Sequence, residues 1–74
     1  MSEADERFNV YWWDMSDGQH TELRNVTADE ATNAVVRLTK GPGSFVVKRC
    51  IITDSGDCIN FEWIEGKVTF PPTT

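Results

Sequence analysis

The sequence has few of the side chains on which most enzyme active sites and metal centres depend. Its 74 residues include one histidine and two cysteines, whereas a zinc site or a Cys–His catalytic pair needs several such groups to converge. It also lacks a secretory signal, a lipidation motif and any run of 18 apolar residues. We therefore expect a cytoplasmic protein that is not an enzyme, holds no cofactor and binds no membrane.

Positive charge is scarce as well. Seven lysines and arginines stand against twelve aspartates and glutamates, which gives a formal net charge of -5 at pH 7. This balance opposes binding to the phosphate backbone of nucleic acids and to anionic lipids. We expect the partner to be another protein or a second copy of this chain, forming a homodimer.

The length allows a single small domain, near the lower limit that one hydrophobic core can stabilise. Residues 1–6 are acidic and are predicted to form a disordered tail, residues 7–70 to form the domain, and residues 71–74 to form a C-terminal tail that starts with two prolines. The sequence shows no internal repeat and no linker.

A complete helix signature lies between residues 27 and 40. Thr27 and Glu30 have the spacing of a capping box, and apolar residues follow at i, i+3, i+4 and i+7 from Ala31. Gly41-Pro42 ends the pattern. The segment therefore predicts one helix with a narrow apolar face, which must pack on another element.

The rest of the chain alternates as strands do. Strands are predicted at residues 8–13, 20–26, 45–53, 58–64 and 67–70. Together with the helix they predict an α+β fold of order ββαβββ, in which an antiparallel-rich twisted sheet carries one helix on one face.

Tight turns set the predicted registers. A two-residue turn at Asp17-Gly18 places Trp12 opposite Leu23, Trp13 opposite Glu22 and Tyr11 opposite Arg24. A two-residue loop at Ser55-Gly56 places Ile52 opposite Ile59, Cys50 opposite Phe61, Lys48 opposite Trp63 and Arg49 opposite Glu62. A glycine-bulge loop at the second site is the alternative, and it shifts that register. Glu65-Gly66 predicts a third turn.

These registers select one shared face as the core. The predicted core residues are Phe8, Val10, Trp12, Leu23, Ala31, Ala34, Val35, Leu38, Ile52, Ile59, Phe61 and Trp63. The same registers place Cys50 and Cys58 on opposite faces of their hairpin, so both thiols are predicted to be reduced.

Two hairpin tips are acidic, with Asp14 and Asp17 in the first and Asp54 and Asp57 in the second. Carboxylates are the ligands that hard cations prefer, and a small-ligand or metal binder at one tip is therefore one candidate function. The predicted strand directions put the tips at opposite ends of the sheet, and turns favour aspartate on their own account. We therefore expect turn residues here and no metal. His20, one residue after the first turn region, is expected to be solvated or hydrogen-bonded.

The sheet face opposite the helix is predicted to be unusually rich in aromatic and apolar side chains. Val47 and Glu22 are placed on it, and the candidate binding residues there are Tyr11, Trp13, Arg24, Arg49, Ile51, Glu62 and Ile64. Exposed tryptophan, tyrosine and arginine are enriched at interface hot spots. The alternative is that charged side chains, such as Arg24 over Tyr11, cover the aromatic rings.

The predicted function is therefore a non-enzymatic module that binds another protein, or itself, through this open sheet face. A second candidate is an acidic inhibitor that mimics nucleic acid and blocks a basic groove, as small phage-type proteins do. That function needs carboxylates gathered on one face, whereas these are spread over the tail, the turns and the helix start.

Overall fold

The computed structural model describes residues 6–70 as one antiparallel sheet with a single helix on one face. The elements are β1 (Phe8–Asp14), β2 (Gln19–Val26), α1 (Ala28–Lys40), β3 (Val47–Asp54), β4 (Ile59–Ile64) and β5 (Lys67–Phe70). The strand order is β2-β1-β3-β4-β5, and every neighbouring pair is antiparallel. The predicted ββαβββ fold is confirmed. The predicted tails lie outside the described residues, apart from Glu6, which is exposed.

The helix begins and ends where its sequence predicts. The Thr27 hydroxyl oxygen accepts a hydrogen bond from the Glu30 N–H at 3.2 Å, and the Glu30 carboxylate accepts one from the Thr27 N–H at 3.0 Å. At the other end the Gly41 N–H donates to the Arg37 carbonyl oxygen at 3.0 Å. Residues Ser44–Val46 form a 3₁₀ turn, which delays the start of β3 from the predicted residue 45 to Val47.

The first hairpin turns through three residues rather than the predicted two. The Asp14 N–H donates to the Gly18 carbonyl oxygen at 3.0 Å, and the Asp17 N–H donates to the Asp14 carbonyl oxygen at 2.9 Å. Asp17 has a φ of 67° while Gly18 does not have positive φ, which is the pattern of a type I turn followed by one left-handed residue. The predicted partners Leu23, Glu22 and Arg24 are therefore wrong. Trp12, Trp13 and Tyr11 instead lie opposite His20, Gln19 and Thr21.

The second hairpin has the same loop. The Asp54 N–H donates to the Cys58 carbonyl oxygen at 3.0 Å, the Asp57 N–H donates to the Asp54 carbonyl oxygen at 3.0 Å, and Asp57 has a φ of 63°. The predicted two-residue loop is wrong, and so is the predicted pairing of Lys48 with Trp63. The left-handed residue of the loop is Asp57 rather than the glycine of the alternative, and a further irregularity between Ile52 and Thr53 makes the register differ by two residues from the predicted one. Ile52 lies opposite Phe61, Cys50 opposite Trp63, and Arg49 opposite Ile64. The third turn is confirmed, since Glu65 and Gly66 both have positive φ.

The two loops repeat one local motif that the sequence analysis missed. In each, an aspartate is followed by a second aspartate three residues later and by an amide or imidazole side chain six residues later. Asp14 Oδ2 lies 2.8 Å from His20 Nε2, and Asp54 Oδ2 accepts from Asn60 Nδ2 at 3.1 Å.

Two irregularities in the sheet move side chains to the face opposite the predicted one. The β1–β2 register shifts at Glu22, whose carboxylate lies 3.5 Å from the Arg37 guanidinium of α1. The β1–β3 register shifts at Lys48, and Val47 joins the core under the helix. A bulge changes the alternation of faces along a strand. The predicted placement of Glu22 and Val47 on the open face is therefore wrong.

The core lies between α1 and the sheet. Its buried residues are Val10, Ala31, Ala34, Val35, Val47 and Cys50, and eight partly buried side chains pack against them: Phe8, Trp12, Leu23, Val26, Leu38, Ile52, Phe61 and Trp63. Eleven of the twelve predicted core residues are in these two sets. Ile59 is exposed, because the shifted register leaves it next to the loop. In the described residues, no helix has the length and apolar character needed to cross a membrane.

The outer edges of the sheet are poor templates for another strand. β2 has register shifts at two places along its pairing with β1, and β5 is only four residues long. Bulges and short edge strands disfavour edge-to-edge pairing. A binding surface is therefore more compatible with the faces of the sheet than with its edges.

A candidate binding groove beside the helix

The helix covers only part of the face on which it lies. α1 packs against β1, β2 and β3 and scarcely reaches β4 and β5. Strands are about 4.8 Å apart, so β4 and β5 together leave a strip about 10 Å wide. Phe61 and Trp63 on β4 point into this strip and remain partly exposed.

This strip is the floor of a groove that runs along α1, which we call the apolar groove. Its central cavity has a volume of about 370 Å³ and is lined chiefly by Val35, Val36, Ile52, Phe61, Trp63 and Val68. A smaller cavity of about 150 Å³ continues it toward Phe8, Ala28 and Asn60 at the start of the helix. A third, of about 450 Å³, continues it toward Met15, Phe45 and Glu65 beyond the end of the helix. Neighbouring cavities share lining residues, so the groove is continuous.

The walls of the groove expose large apolar side chains. Met15, Val36, Phe45 and Val68 line it and are all exposed, Phe45 by 75%. The Thr39 hydroxyl donates to the Val35 carbonyl oxygen at 2.8 Å, so its hydrogen-bonding group is already satisfied within the helix. An exposed apolar surface of this kind, bordered by polar residues, marks a binding site more often than an ordinary surface.

Sequence analysis missed the groove because it placed Phe61 and Trp63 in a core fully covered by the helix. One signal was present in the sequence. Five strands span about 19 Å between their outer axes, whereas one helix is about 10–12 Å in diameter. A single helix therefore leaves part of one face of a five-stranded sheet uncovered.

The open sheet face brings together six of the seven predicted site residues. Tyr11, Ile51 and Glu62 form one row across β1, β3 and β4, and Trp13, Arg49 and Ile64 form the next. Arg24 lies apart from them on β2, exposed, and makes no side-chain hydrogen bond or ion pair in the part of the chain described.

Polar contacts cover part of this face. Arg49 lies over the Trp13 ring, 4.6 Å from its centroid, and its Nε donates to Glu62 Oε2 at 2.7 Å. Thr69 donates to the other Glu62 oxygen at 2.9 Å. The hydrogen bond from Arg49, followed by that from Thr69, lowers the pKa of Glu62. The Arg49–Glu62 pair therefore forms, although diagonally rather than directly across the strands as predicted.

These contacts reduce the exposed apolar surface of the open face. Ile51 is 7% exposed, and Tyr11, Trp13 and Ile64 are only partly exposed. The ring of Trp13 is covered by Arg49. Phe70, opposite Glu62 on β5, is an exposed apolar side chain of this face, whereas Met15, Val36, Phe45 and Val68 are exposed along the groove.

The first aspartate of each hairpin tip uses its carboxylate within its own loop, whereas Asp17 pairs with Lys48 at 2.7 Å. Asp14 Oδ1 accepts from the Ser16 and Gly18 N–H groups, both at 2.9 Å. Asp54 Oδ1 accepts in the same way from Gly56 and Cys58. Over residues 6–70, no group of three or more histidine, cysteine, aspartate or glutamate side chains is gathered so that it could hold a metal ion.

His20 and the two cysteines occupy unrelated places. The His20 ring stacks on Trp12, with centroids 4.2 Å apart, and contacts Asp14. Cys50 is buried in the core and Cys58 is exposed in the second loop, and both are free thiols. The prediction of two reduced cysteines is confirmed.

Comparison with known proteins gives no relative from which a function could be transferred. The chain matches no protein-family model, no curated protein and no solved structure.

Proposed function

We propose that the protein is a non-enzymatic binding domain that receives a segment of another protein in the apolar groove. The observation that carries this proposal is the uncovered strip over β4 and β5, where the rings of Phe61 and Trp63 are accessible beneath an apolar wall formed by Val36 and Val68. Groove binding of this kind is a common mode of peptide recognition, in which apolar anchors enter the groove and a polar rim surrounds them.

A second surface for the same function is the open sheet face. The partly exposed rings of Tyr11 and Trp13 support it. It ranks below the groove because Ile51 is buried and Arg49 already occupies the face of Trp13. Self-association through this face is part of the same alternative.

The acidic-mimic function has weaker support from the charges. Three carboxylates pair with lysine or arginine within the molecule, those of Asp17, Glu22 and Glu62, and that of Asp14 contacts His20. A mimic of nucleic acid needs its negative charges free and in a row, because its affinity comes from the basic groove it blocks.

Selection from a displayed library of helical peptides tests the proposal. We expect peptides with apolar residues at i, i+3, i+4 and i+7 to be enriched, and Val36→Glu to weaken their binding about tenfold or more. The matched control is Val46→Glu, since Val46 is also exposed but does not line the groove. The double variant Tyr11→Ala/Trp13→Ala should still bind the enriched peptides.

Other outcomes identify the other functions. Loss of binding in the Tyr11→Ala/Trp13→Ala variant, with Val36→Glu unaffected, places the site on the open face. Binding that disappears with added salt and is insensitive to all of these changes supports the acidic mimic. A library that yields no binder at all overturns the proposed function.

A further inference from the structure

The third cavity of the groove, beyond the end of α1, lies between two separate connections of the sheet. We call this part the far end of the groove. Met15 comes from the β1–β2 loop, whereas Glu65 and Gly66 come from the β4–β5 turn. Both connections lie beyond the last paired residues of their hairpins. The shape of the far end therefore depends on what holds these two connections relative to each other.

The start of β3 lies between them, because β3 stands between β1 and β4 in the sheet. The pair Trp13–Arg49 is followed directly by the pair Asp14–Val47. Lys48 is thus an extra residue with no partner on β1. An extra residue of this kind interrupts the regular ladder and redirects the side chain, so the groups of Lys48 can bond to the neighbouring connections instead.

Lys48 bonds to both connections at once. Its Nζ donates to Asp17 Oδ1 of the β1–β2 loop at 2.7 Å, and its carbonyl oxygen accepts from the Glu65 N–H of the β4–β5 turn at 2.9 Å. The hydrogen bond to Asp17, followed by the charge of Asp17, raises the pKa of Lys48, and the charge of Glu65 adds to this effect. The ammonium group therefore stays charged at neutral pH and keeps its contact with Asp17.

The contact with Asp17 also positions Met15, because the β1–β2 loop is closely hydrogen-bonded within itself. The Asp17 N–H donates to the Asp14 carbonyl oxygen at 2.9 Å. Asp14 Oδ1 in turn accepts from the Ser16 and Gly18 N–H groups. Met15 lies inside this loop and is 53% exposed, so its place at the far end follows from the place of the loop as a whole.

We propose that Lys48 is a positioning residue of the apolar groove, which fixes the far end by joining the loop that carries Met15 to the turn at Glu65-Gly66. This inference rests on the proposed function. Within residues 6–70, Lys48 is not among the residues that line the three cavities. A bound segment that ends with the last turn of α1 is therefore insensitive to Lys48, whereas a segment that extends to Met15 depends on it.

NMR spectroscopy of the protein alone tests whether Lys48 joins the two connections. Asp17→Asn removes the charge in the β1–β2 loop and keeps a residue that tolerates the left-handed backbone there. We expect this change to shift the amide signal of Gly66, in the other connection. The double variant Asp17→Asn/Lys48→Met should shift Gly66 no further than Lys48→Met alone, because both changes remove one contact. Asp57→Asn, at the equivalent position of the β3–β4 loop, is the control and should leave Gly66 unshifted.

The role in binding is tested with helical peptides from the library selection. A selected peptide that shifts the NMR signal of the Met15 methyl group reaches the far end, and it is compared with versions shortened by about one turn at either end. Lys48→Met should weaken the full peptide about twofold to fivefold, the usual range for loss of an exposed ion pair. It should not weaken the shortened peptide that no longer shifts Met15. Lys48→Arg keeps the charge and should restore binding, and Arg24→Met, which removes a charge elsewhere, should change neither peptide.

The two experiments separate this inference from the proposed function. An unshifted Gly66 signal in Asp17→Asn overturns the role of Lys48 and leaves the groove function standing. Equal weakening of the full and shortened peptides by Lys48→Met also overturns it, because the effect is then not confined to the far end. An empty library selection overturns the proposed function, while the spectra of the protein alone still decide whether Lys48 joins the two connections.

Discussion

At Gly41 the chain leaves α1 so close to the helix that the position has no room for a side chain. A Cβ atom there would lie 2.4 Å from the Arg37 carbonyl oxygen, which is backbone and cannot rotate away. We expect Gly41→Ala to lower the free energy of unfolding by about 1–3 kcal/mol, the usual cost of overpacking. Urea denaturation measures it. The matched change is Gly43→Ala, where nothing lies within 4 Å of the added atom and a small gain of about 0.4–1 kcal/mol is expected.

The two thiols lie in different environments, one buried and one exposed. Burial, together with a smaller contribution from the charge of Glu22, raises the pKa of Cys50 to about 12, whereas Cys58 is exposed. Because the thiolate is the reactive form, a chromogenic disulfide reagent at pH 8 should label one thiol quickly in the folded protein. The second should react only on unfolding, and Cys58→Ser should remove the fast phase. Fast reaction of two thiols in the native protein would show that Cys50 is more accessible than the structure has it.

At the scale of elements, the β3–β4 loop depends on one ionised carboxylate. Hydrogen bonds from Asn60, then from the Cys58 and Gly56 N–H groups, hold the pKa of Asp54 below its ordinary value. A carboxylate whose pKa is lower in the folded state stabilises the protein above its unfolded pKa, and this contribution is lost as the pH falls through the folded value. The urea midpoint of the protein should therefore drop below about pH 4.

The variant Asp54→Asn isolates this effect. It should lower the urea midpoint at pH 7, and the difference from the unmodified protein should shrink in acid, as Asp54 itself becomes protonated. Asp57→Asn is the control in the same loop, because asparagine also tolerates the left-handed backbone at that position. A difference that stays constant from pH 7 to pH 3 would contradict this account.

The elements themselves could be predicted from the sequence, while their exact pairing could not. The Thr27–Glu30 capping box and the Gly41 stop are local signals, and they gave α1 its bounds to within a residue. The registers depend on whether a loop holds two residues or three, which aspartate and glycine both permit. The extra residue at Glu22 has no local signal at all, since a bulge is selected by packing across the sheet.

At the scale of the whole molecule, a very small set of fully buried side chains supports the fold. Val10, on the central strand pair, is 0% exposed. Val10→Ala should lower the free energy of unfolding by about 2 kcal/mol, because the burial of two methyl groups is lost and a cavity is left behind. The core of a domain of this size supplies only about 3–5 kcal/mol of net stability. The urea midpoint should therefore fall by roughly half. Val46→Ala, at an exposed position, should change the free energy of unfolding by less than about 0.5 kcal/mol.

The candidate site also belongs to this scale. Sequence periodicity assigns each side chain to a face but does not say how much of that face a neighbouring element covers. Trp63 and Phe61 were therefore placed correctly on the helix side and incorrectly under the helix. A sheet of five strands is wider than one helix. This difference in width is a property of the two assembled layers and cannot be read from any single element.

The strand order has a consequence for how the chain is made. β1 lies in the interior of the sheet although it is the first strand to be synthesised, and its partner on one side, β3, extends to Asp54, which pairs with Phe8. At about 5–20 residues per second, the ribosome takes roughly 2–9 s to make the intervening segment. During that interval the nascent β1–β2 hairpin exposes an unpaired edge carrying Val10 and Trp12. The edge of β1 that β3 covers in the finished molecule is thus exposed while the intervening segment is made.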